Sequence, residues 1–364
     1  MLLKAVNTAL KQPLPRISAH SIIKTWTRPA YIHNNINFAS PIRCRTIVTM
    51  SPSQPVDAGL SSSATFIVLS VNDKESSIST VRNVLSSVPD IAKNISIRDS
   101  NANLSCVVGI GSRIWDPLTR LPRPAELHPF TEVRGAKQTA VSTPGDILLH
   151  IRSERRDMCF ELERQLMDQL SDNVRVEDQT VGFRYFDARD LLGFVDGTAN
   201  PVGAEVDEAV LVAASDGSDA TTIGGSYVVI QKYLHDLKGW RGLSTEQQEA
   251  IIGRTKLDNI ELDDADEHTQ QAHKTLATIE DELGNEHAVL RDNMPFGSPS
   301  TGEFGTYFIA YTRQLWVVEK MMERMFVGSP RGLHDRILDF STPVTGCTFF
   351  APSISTLTAL GDDD

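Results

Sequence analysis

The run Gly193-Phe194-Val195-Asp196-Gly197-Thr198-Ala199-Asn200-Pro201 sets one carboxylate between glycines in a loop that ends on Asn-Pro. Glycine permits backbone turns and close approaches that other residues do not, so such a loop can hold Asp196 where another group comes near. The same composition builds ordinary turns, and the loop alone names no reaction. A second run, Val289-Leu290-Arg291-Asp292-Asn293-Met294-Pro295-Phe296-Gly297, supplies Arg291 and Asn293, and His273 lies eighteen residues before Arg291. The set comprises a carboxylate able to take and return a proton, a guanidinium that keeps its charge, an amide that donates and accepts, and an imidazole.

Together these motifs resemble the dye-decolourising peroxidase family of haem proteins, whose pattern is a Gly-x-x-Asp-Gly loop, a later histidine and an Arg-x-Asn pair. The resemblance continues through Ile252-Gly253-Arg254-Thr255-Lys256, Gly305-Thr306-Tyr307-Phe308-Ile309 and Leu338 to Gly346, covering roughly residues 60–360. It is nearest to the compact bacterial-type branch. The family implies one haem b per chain, held between two ferredoxin-like halves. It also implies an oxidoreductase that reduces hydrogen peroxide and oxidises phenolic or dye-like small molecules through a ferryl intermediate, and a homo-oligomer.

Carried onto this chain, the resemblance makes His273 the axial ligand of the haem iron, with His268 as a minor competitor. Asp196 would move a proton between the two peroxide oxygens, Arg291 would stabilise charge on the departing one, and Asn293 would hydrogen-bond peroxide or a distal water. Arg254 is a candidate partner for a haem propionate. Asp335 and Asp339, four apart and so expected on one helix face, are both candidates to polarise the outer nitrogen of His273. Many relatives carry Glu where this chain has Ala199, which removes a carboxylate that could bind manganese near the haem edge. Tyr185, Tyr227, Tyr233, Tyr307, Tyr311, Trp240 and Trp316 could relay radicals, but their simpler use is packing.

The elements that must position these residues read as two similar halves, 57–190 and 191–360. Thr65–Val71 is an apolar strand; Asn72 with Glu75 is expected to open a helix carrying Ile78, Val81 and Leu85, and Pro89 to stop it. Strands at Ser105–Ile110 and Asp146–Ile151, a helix with Met158, Leu162, Leu166 and Leu170 on one face, and a strand over Val174–Tyr185 complete a βαββαβ order. The second half repeats it: a strand over Ser226–Tyr233, a helix with a Ser244/Gln247 capping box stopped by Gly253, a strand over Tyr307–Tyr311, a helix through Leu315, Val318, Met322 and Met325, and a strand over Cys347–Ala351. The predicted class is α+β, two ferredoxin-like halves packed together in the manner of a dimeric α/β-barrel. The acidic stretch from Leu257 to Glu286 reads as a solvated loop with a short helix, and the iron ligand must emerge from it.

The 364 residues carry a formal charge of −12, which disfavours a nucleic-acid surface, and no run approaches the length of a membrane span. Residues 1–56 contain no acid and seven bases, Lys4, Lys11, Arg16, Lys24, Arg28, Arg43 and Arg45. That composition predicts a mitochondrial transit peptide and a matrix location, with a cytosolic form starting at Met50. Cys106, Cys159 and Cys347 are widely spaced beyond Cys44 in the leader, so neither a disulfide framework nor a zinc site is expected. Two rivals to the enzyme stand. A haem-binding or haem-delivery protein would need His273 but neither Asp196 nor Arg291, and a purely structural module would show no Soret band.

Overall fold

Alternating apolar residues build the sheet first. In the computed structural model, which describes residues 52–362, the first half runs β1 (Ser63–Val71), α1 (Glu75–Ser96), β2 (Ser105–Gly111), β3 (Ile147–Ser153), α2 (Arg156–Leu170) and β4 (Val174–Phe183). The second runs β5 (Ser226–His235), α3 (Thr245–Ile252), α4 (His273–Ala277), β6 (Leu290–Arg291), β7 (Met294–Ser298), β8 (Glu303–Thr312), α5 (Leu315–Phe326) and β9 (Cys347–Ala351). In the first half the order across the sheet is β2-β3-β1-β4, and in the second β6 and β7 pair β8, followed by β5 and β9. Numbered within each half, both orders are second, third, first, fourth strand, with antiparallel neighbours, as the ferredoxin-like arrangement requires. The halves join where β9 pairs β2, Phe350 opposite Ile110.

The far edges also meet. A Cβ on Gly182 in β4 would sit 2.5 Å from the Cβ of Met294 in β7, so only glycine lets these edge strands approach and the sheet curl toward closure. Period-two alternation then sorts the core. Phe66, Val68, Val107, Leu148, Val228, Ile230, Tyr307 and Phe349 fill the inside, while Ile67, Leu69, Val108, Leu149, Val229 and Ala310 face outward under the helices.

Helix α1 corrects the expected stop at Pro89, because it continues to Ser96 with Pro89 inside. An interior proline costs about 3 kcal/mol. Val81, Leu85, Val88, Ala92 and Ile95 are buried along the same helix on both sides of Pro89, and each large apolar side chain contributes about 1.5–3 kcal/mol, so burial wins. The expected opening by Asn72 is also corrected: Lys74 is the N-cap without a side-chain bond, and Asn72 Nδ2 donates to Asp172 O instead. The capping box of Ser244 and Gln247 forms, with Gly253 in the left-handed conformation as the stop. The predicted leader, 1–56, and Met50 lie outside the described residues except at the leader's last positions. Among the described residues no helix is long and apolar enough to cross a membrane.

Candidate functional site

The outer face of β5 and β8 is not sealed along its whole length. Tyr233, His235, Thr306 and Phe308 form the floor of a cavity of about 580 Å³, walled by α5, by the 190–199 loop and by α4 with its flanking segments. The size falls within the range of about 300–1,000 Å³ usual for small-molecule and cofactor pockets. Asp196, His273, Arg291, Asn293 and Arg254 all line it. Every lining residue falls between Asp190 and Ser341, so the C-terminal half builds nearly the whole wall of the cavity. The acidic stretch and α4 wall off one sheet face there.

His273 begins α4, a five-residue helix anchored by the fully buried Leu276. Arg324 of α5 donates to the carbonyls of Thr275 and Thr278 and ties this turn down. The His273 side chain is 33% exposed, and that exposure is to the cavity it lines. Its Nδ1 lies 2.6 Å from Oδ2 of the buried Asp335. Burial disfavours the imidazolium, but the Asp335 charge and hydrogen bond outweigh it and lift the His273 pKa above its ordinary value. With Nδ1 engaged, Nε2 is the nitrogen left for a ligand.

Two other histidines are thereby separated from this role. His235 also lines the cavity, but its Nδ1 meets Ser341 Oγ and its Nε2 meets Thr306 Oγ1, both at 2.9 Å, and burial lowers its pKa to about 4. His268 is 87% exposed beside Glu267 and does not line the cavity. Of the two aspartates proposed from sequence, Asp339 instead takes His334 Nε2 at 3.0 Å. The expected shared helix face is absent because Asp335 is the N-cap of a short 3-10 turn, Arg336–Asp339, not part of an α-helix.

The 190–200 loop opens with Asp190, which accepts from the Phe194 amide at 2.9 Å, and Gly193 and Gly197 take positive φ values of 96° and 73°. These turns present Asp196 to the cavity. Its Oδ1 accepts from Gly197 N at 2.7 Å and from Asn293 Nδ2 at 3.3 Å. Asn293 is oriented from behind, since its Oδ1 accepts from the Ile309 backbone at 3.2 Å, which leaves the amide N–H₂ for Asp196. Asn200, at the loop's end, donates to Arg291 O at 2.7 Å and accepts from Arg291 N at 2.9 Å. That reciprocal pair clamps the Asp196 loop to the strand carrying Arg291, a role that the Asn-Pro ending did not reveal.

Arg291 donates through Nη2 to Ala277 O at 3.2 Å and touches Met321 Sδ at 3.6 Å. Its Nε and Nη1 make no hydrogen bond among the described residues, and it forms no direct ion pair with Asp196. Burial draws its pKa down, while Asp196 and Glu286 draw it up. Arg254 is committed elsewhere: Nε meets Asn259 Oδ1 at 2.8 Å and Nη1 meets Glu261 Oε2 at 2.8 Å. Arg324 Nε, also at the wall, is buried with no partner. Asp292, between Arg291 and Asn293, points the other way and pairs with Arg152 of β3 at 2.7 Å.

This donor set fits haem. Among the described residues no group of three metal-ligating side chains could hold a bare ion. A lone imidazole backed by a carboxylate therefore suits a metal that arrives with its own chelating ring. The apolar walls of Leu192, Phe194, Ile252, Phe308 and Met325 suit the faces of such a ring, and the uncommitted Arg291 nitrogens suit an anionic group.

Comparison with known proteins agrees with this chemistry. Residues 54–184 match the family model for the Dyp-type peroxidase N-terminal region and residues 187–356 that for its C-terminal region. The chain is 49% identical over 290 residues to the "Dye-decolorizing peroxidase" of Brevibacterium linens, covering 80% of this chain and 77% of that one. It is similar to the structure of DyPB from Rhodococcus jostii RHA1, with 48% identity, a TM-score of 0.81, and coverage of 85% of this chain and 98% of that one. A variant of the Rhodococcus protein solved in complex with heme matches with a TM-score of 0.80 at 48% identity, over 84% of this chain and 97% of that one. The relatives at 46–49% identity come from Brevibacterium, Mycobacterium, Mycolicibacterium and Rhodococcus. Bacteria have no mitochondria, and this company corrects the expected transit peptide and matrix location.

Proposed function

The chain belongs to the Dyp-type peroxidase family and is a peroxidase, and from that premise we propose that it binds one haem b per chain in the C-terminal cavity and uses hydrogen peroxide to oxidise phenolic or dye-like reductants. The observation that carries the reading is the convergence on one cavity of His273, backed by Asp335, and the trio Asp196, Asn293 and Arg291. Haem, when bound, supplies the iron that receives the oxidising equivalents of peroxide. His273 would hold it through Nε2, and Asp335 would keep the imidazole in the tautomer that leaves Nε2 free. Asp196 would take a proton from one peroxide oxygen and return it to the other, with Asn293 fixing the carboxylate. Arg291 would stabilise negative charge on the departing oxygen through its uncommitted nitrogens.

Arg254 lines the cavity with its fork already shared with Asn259 and Glu261, and would meet a propionate only by exchanging one of them. The division into halves at 57–190 and 191–360 is supported by the end of β4 at Phe183 and by the two family models. Exposed Phe183 and Phe186 are in keeping with a homo-oligomer. A haem carrier needs neither Asp196 nor Arg291, which favours turnover over delivery. Reconstitution of the purified chain with haem, followed by absorption spectra before and after peroxide and by dye bleaching, tests the reading. Failure to develop a Soret band, or haem uptake without peroxide-dependent bleaching, would reject it.

A further inference from the structure

Helix α5 turns three thioethers toward the cavity, Met321, Met322 and Met325, at the spacing of one helix face. Met321 differs from its neighbours in having Arg291 beside its sulfur, at 3.6 Å from Nη2. The same Nη2 donates to Ala277 O at 3.2 Å, so a weak sulfur acceptor and a carbonyl together set where the guanidinium lies. We infer that Met321 is a peroxide-oxidisable restraint on Arg291: as a thioether it positions the guanidinium, and when peroxide outruns reductant it becomes a sulfoxide that pulls Arg291 out of its working position.

The inference rests on the peroxidase reading in that peroxide must enter this cavity. The step balances without another reagent. A sulfur lone pair attacks one peroxide oxygen, the S–O bond forms as the O–O bond breaks, and two electrons pass from sulfur to peroxide. The departing oxygen keeps its own proton, collects the one left on the transferred oxygen, and leaves as water. Arg291 favours this transfer for the same reason that it favours the main reaction, because its charge faces the departing oxygen. The product is polar, and its oxygen is a strong acceptor where a weak one stood, within reach of Nη2. The guanidinium is drawn toward α5, and methionine sulfoxide reductases can undo the change.

The test exposes the haem-loaded enzyme to hydrogen peroxide without reductant, quenches it, and digests it with trypsin. Cleavage after Lys320 and Arg324 releases Met321–Arg324, in which fragment masses separate Met321 from Met322. A gain of one oxygen is expected at Met321 several-fold ahead of Met158, which is buried in the N-terminal half and lines no part of the cavity. The gain should rise in step with the loss of dye turnover and reverse with methionine sulfoxide reductases. Met321→Leu, which keeps the volume and removes the sulfur, is expected to load haem and to survive peroxide several-fold longer than the parent. Equal oxidation of Met158 and Met321, or decay of Met321→Leu at the parental rate, overturns the inference. Absence of dye turnover before the challenge would count against the peroxidase reading alone, since the mass gain at Met321 is scored without turnover.

Discussion

Replacing Asp335 with asparagine isolates the charge behind His273 with little change of shape. Asp335 is fully buried; its Oδ2 takes His273 Nδ1 at 2.6 Å and its Oδ1 accepts from Ile337 N at 3.1 Å. Asparagine can keep the bond to Ile337 only by turning its N–H₂ toward His273. Nδ1 must then accept, the ring proton moves to Nε2, and the nitrogen required by iron is blocked. Loss of such a carboxylate partner commonly costs about 10–100-fold in metal affinity or activity, or ~1.4–2.7 kcal/mol. That agrees with about 1.5–3 kcal/mol for a hydrogen bond to a charged group. Haem titration of the apoprotein, followed at the Soret band, measures the affinity, and apoprotein unfolding run in parallel separates ligation from folding. The iron midpoint potential should also rise, because an imidazole without the carboxylate is a poorer donor. An affinity within about twofold of the parent, under ~0.5 kcal/mol, with an unchanged potential, would reduce Asp335 to a cap of its turn.

Three further outcomes are expected. His273→Ala should lose most haem occupancy while remaining folded, and His268→Ala should keep it, as read from the Soret band against a circular-dichroism control. Arg291→Leu should slow the peroxide reaction by about 10²–10³ and Asp196→Asn by about 10²–10⁴, less if a water substitutes for the carboxylate; stopped-flow mixing ranks them, and a near-normal Arg291→Leu would remove the assigned electrostatic role. Burial, opposed by backbone donors and reinforced by Asp196, pushes the Asp190 carboxyl up to about 7, against about 3.9 in an unfolded chain. Between those values the folded chain holds a proton that the unfolded chain has lost, so stability falls as pH rises through the window and levels off above it. Denaturation midpoints should show this slope, worth up to about 4 kcal/mol, in the parent and not in Asp190→Asn.

The βαββαβ order and the capping box at Ser244 were legible because they depend on local periodicity and motif spacing, and the convergence of Asp196, His273, Arg291 and Asn293 was legible only through the family resemblance that their motifs carry. Other features depended on partners far away in the chain. Pro89 stays inside α1 because of buried neighbours on both of its sides, which a local stop signal does not register. Asp335 and Asp339 look alike in sequence, and only the cap geometry at Asp335 turns one of them to His273. Asn200 was visible as a turn residue, but its bonds to Arg291 span 91 positions. His235 carries no motif and is revealed as part of the cavity only once β5 and β8 are paired. Arg254 had the right charge, yet Asn259 and Glu261, a few residues on, already hold its fork.

The alternation at Arg291, Asp292 and Asn293 restricts which kinds of change this segment can absorb. Two of these side chains serve the cavity, and the one between them reaches Arg152 in the other half. A single inserted or deleted residue between Leu290 and Met294 would exchange the faces, sending a guanidinium or an amide into the seam and a carboxylate into the cavity. Both misplacements leave buried charges without partners, Arg152 among them, and each such loss is on the order of 3–5 kcal/mol. A point substitution along this stretch removes one of these functions at a time, whereas a change of its length removes them together. Libraries that vary the segment should hold the spacing fixed and place insertions instead at exposed turns such as Gly284 or Gly302, where a side chain would meet nothing within 4 Å.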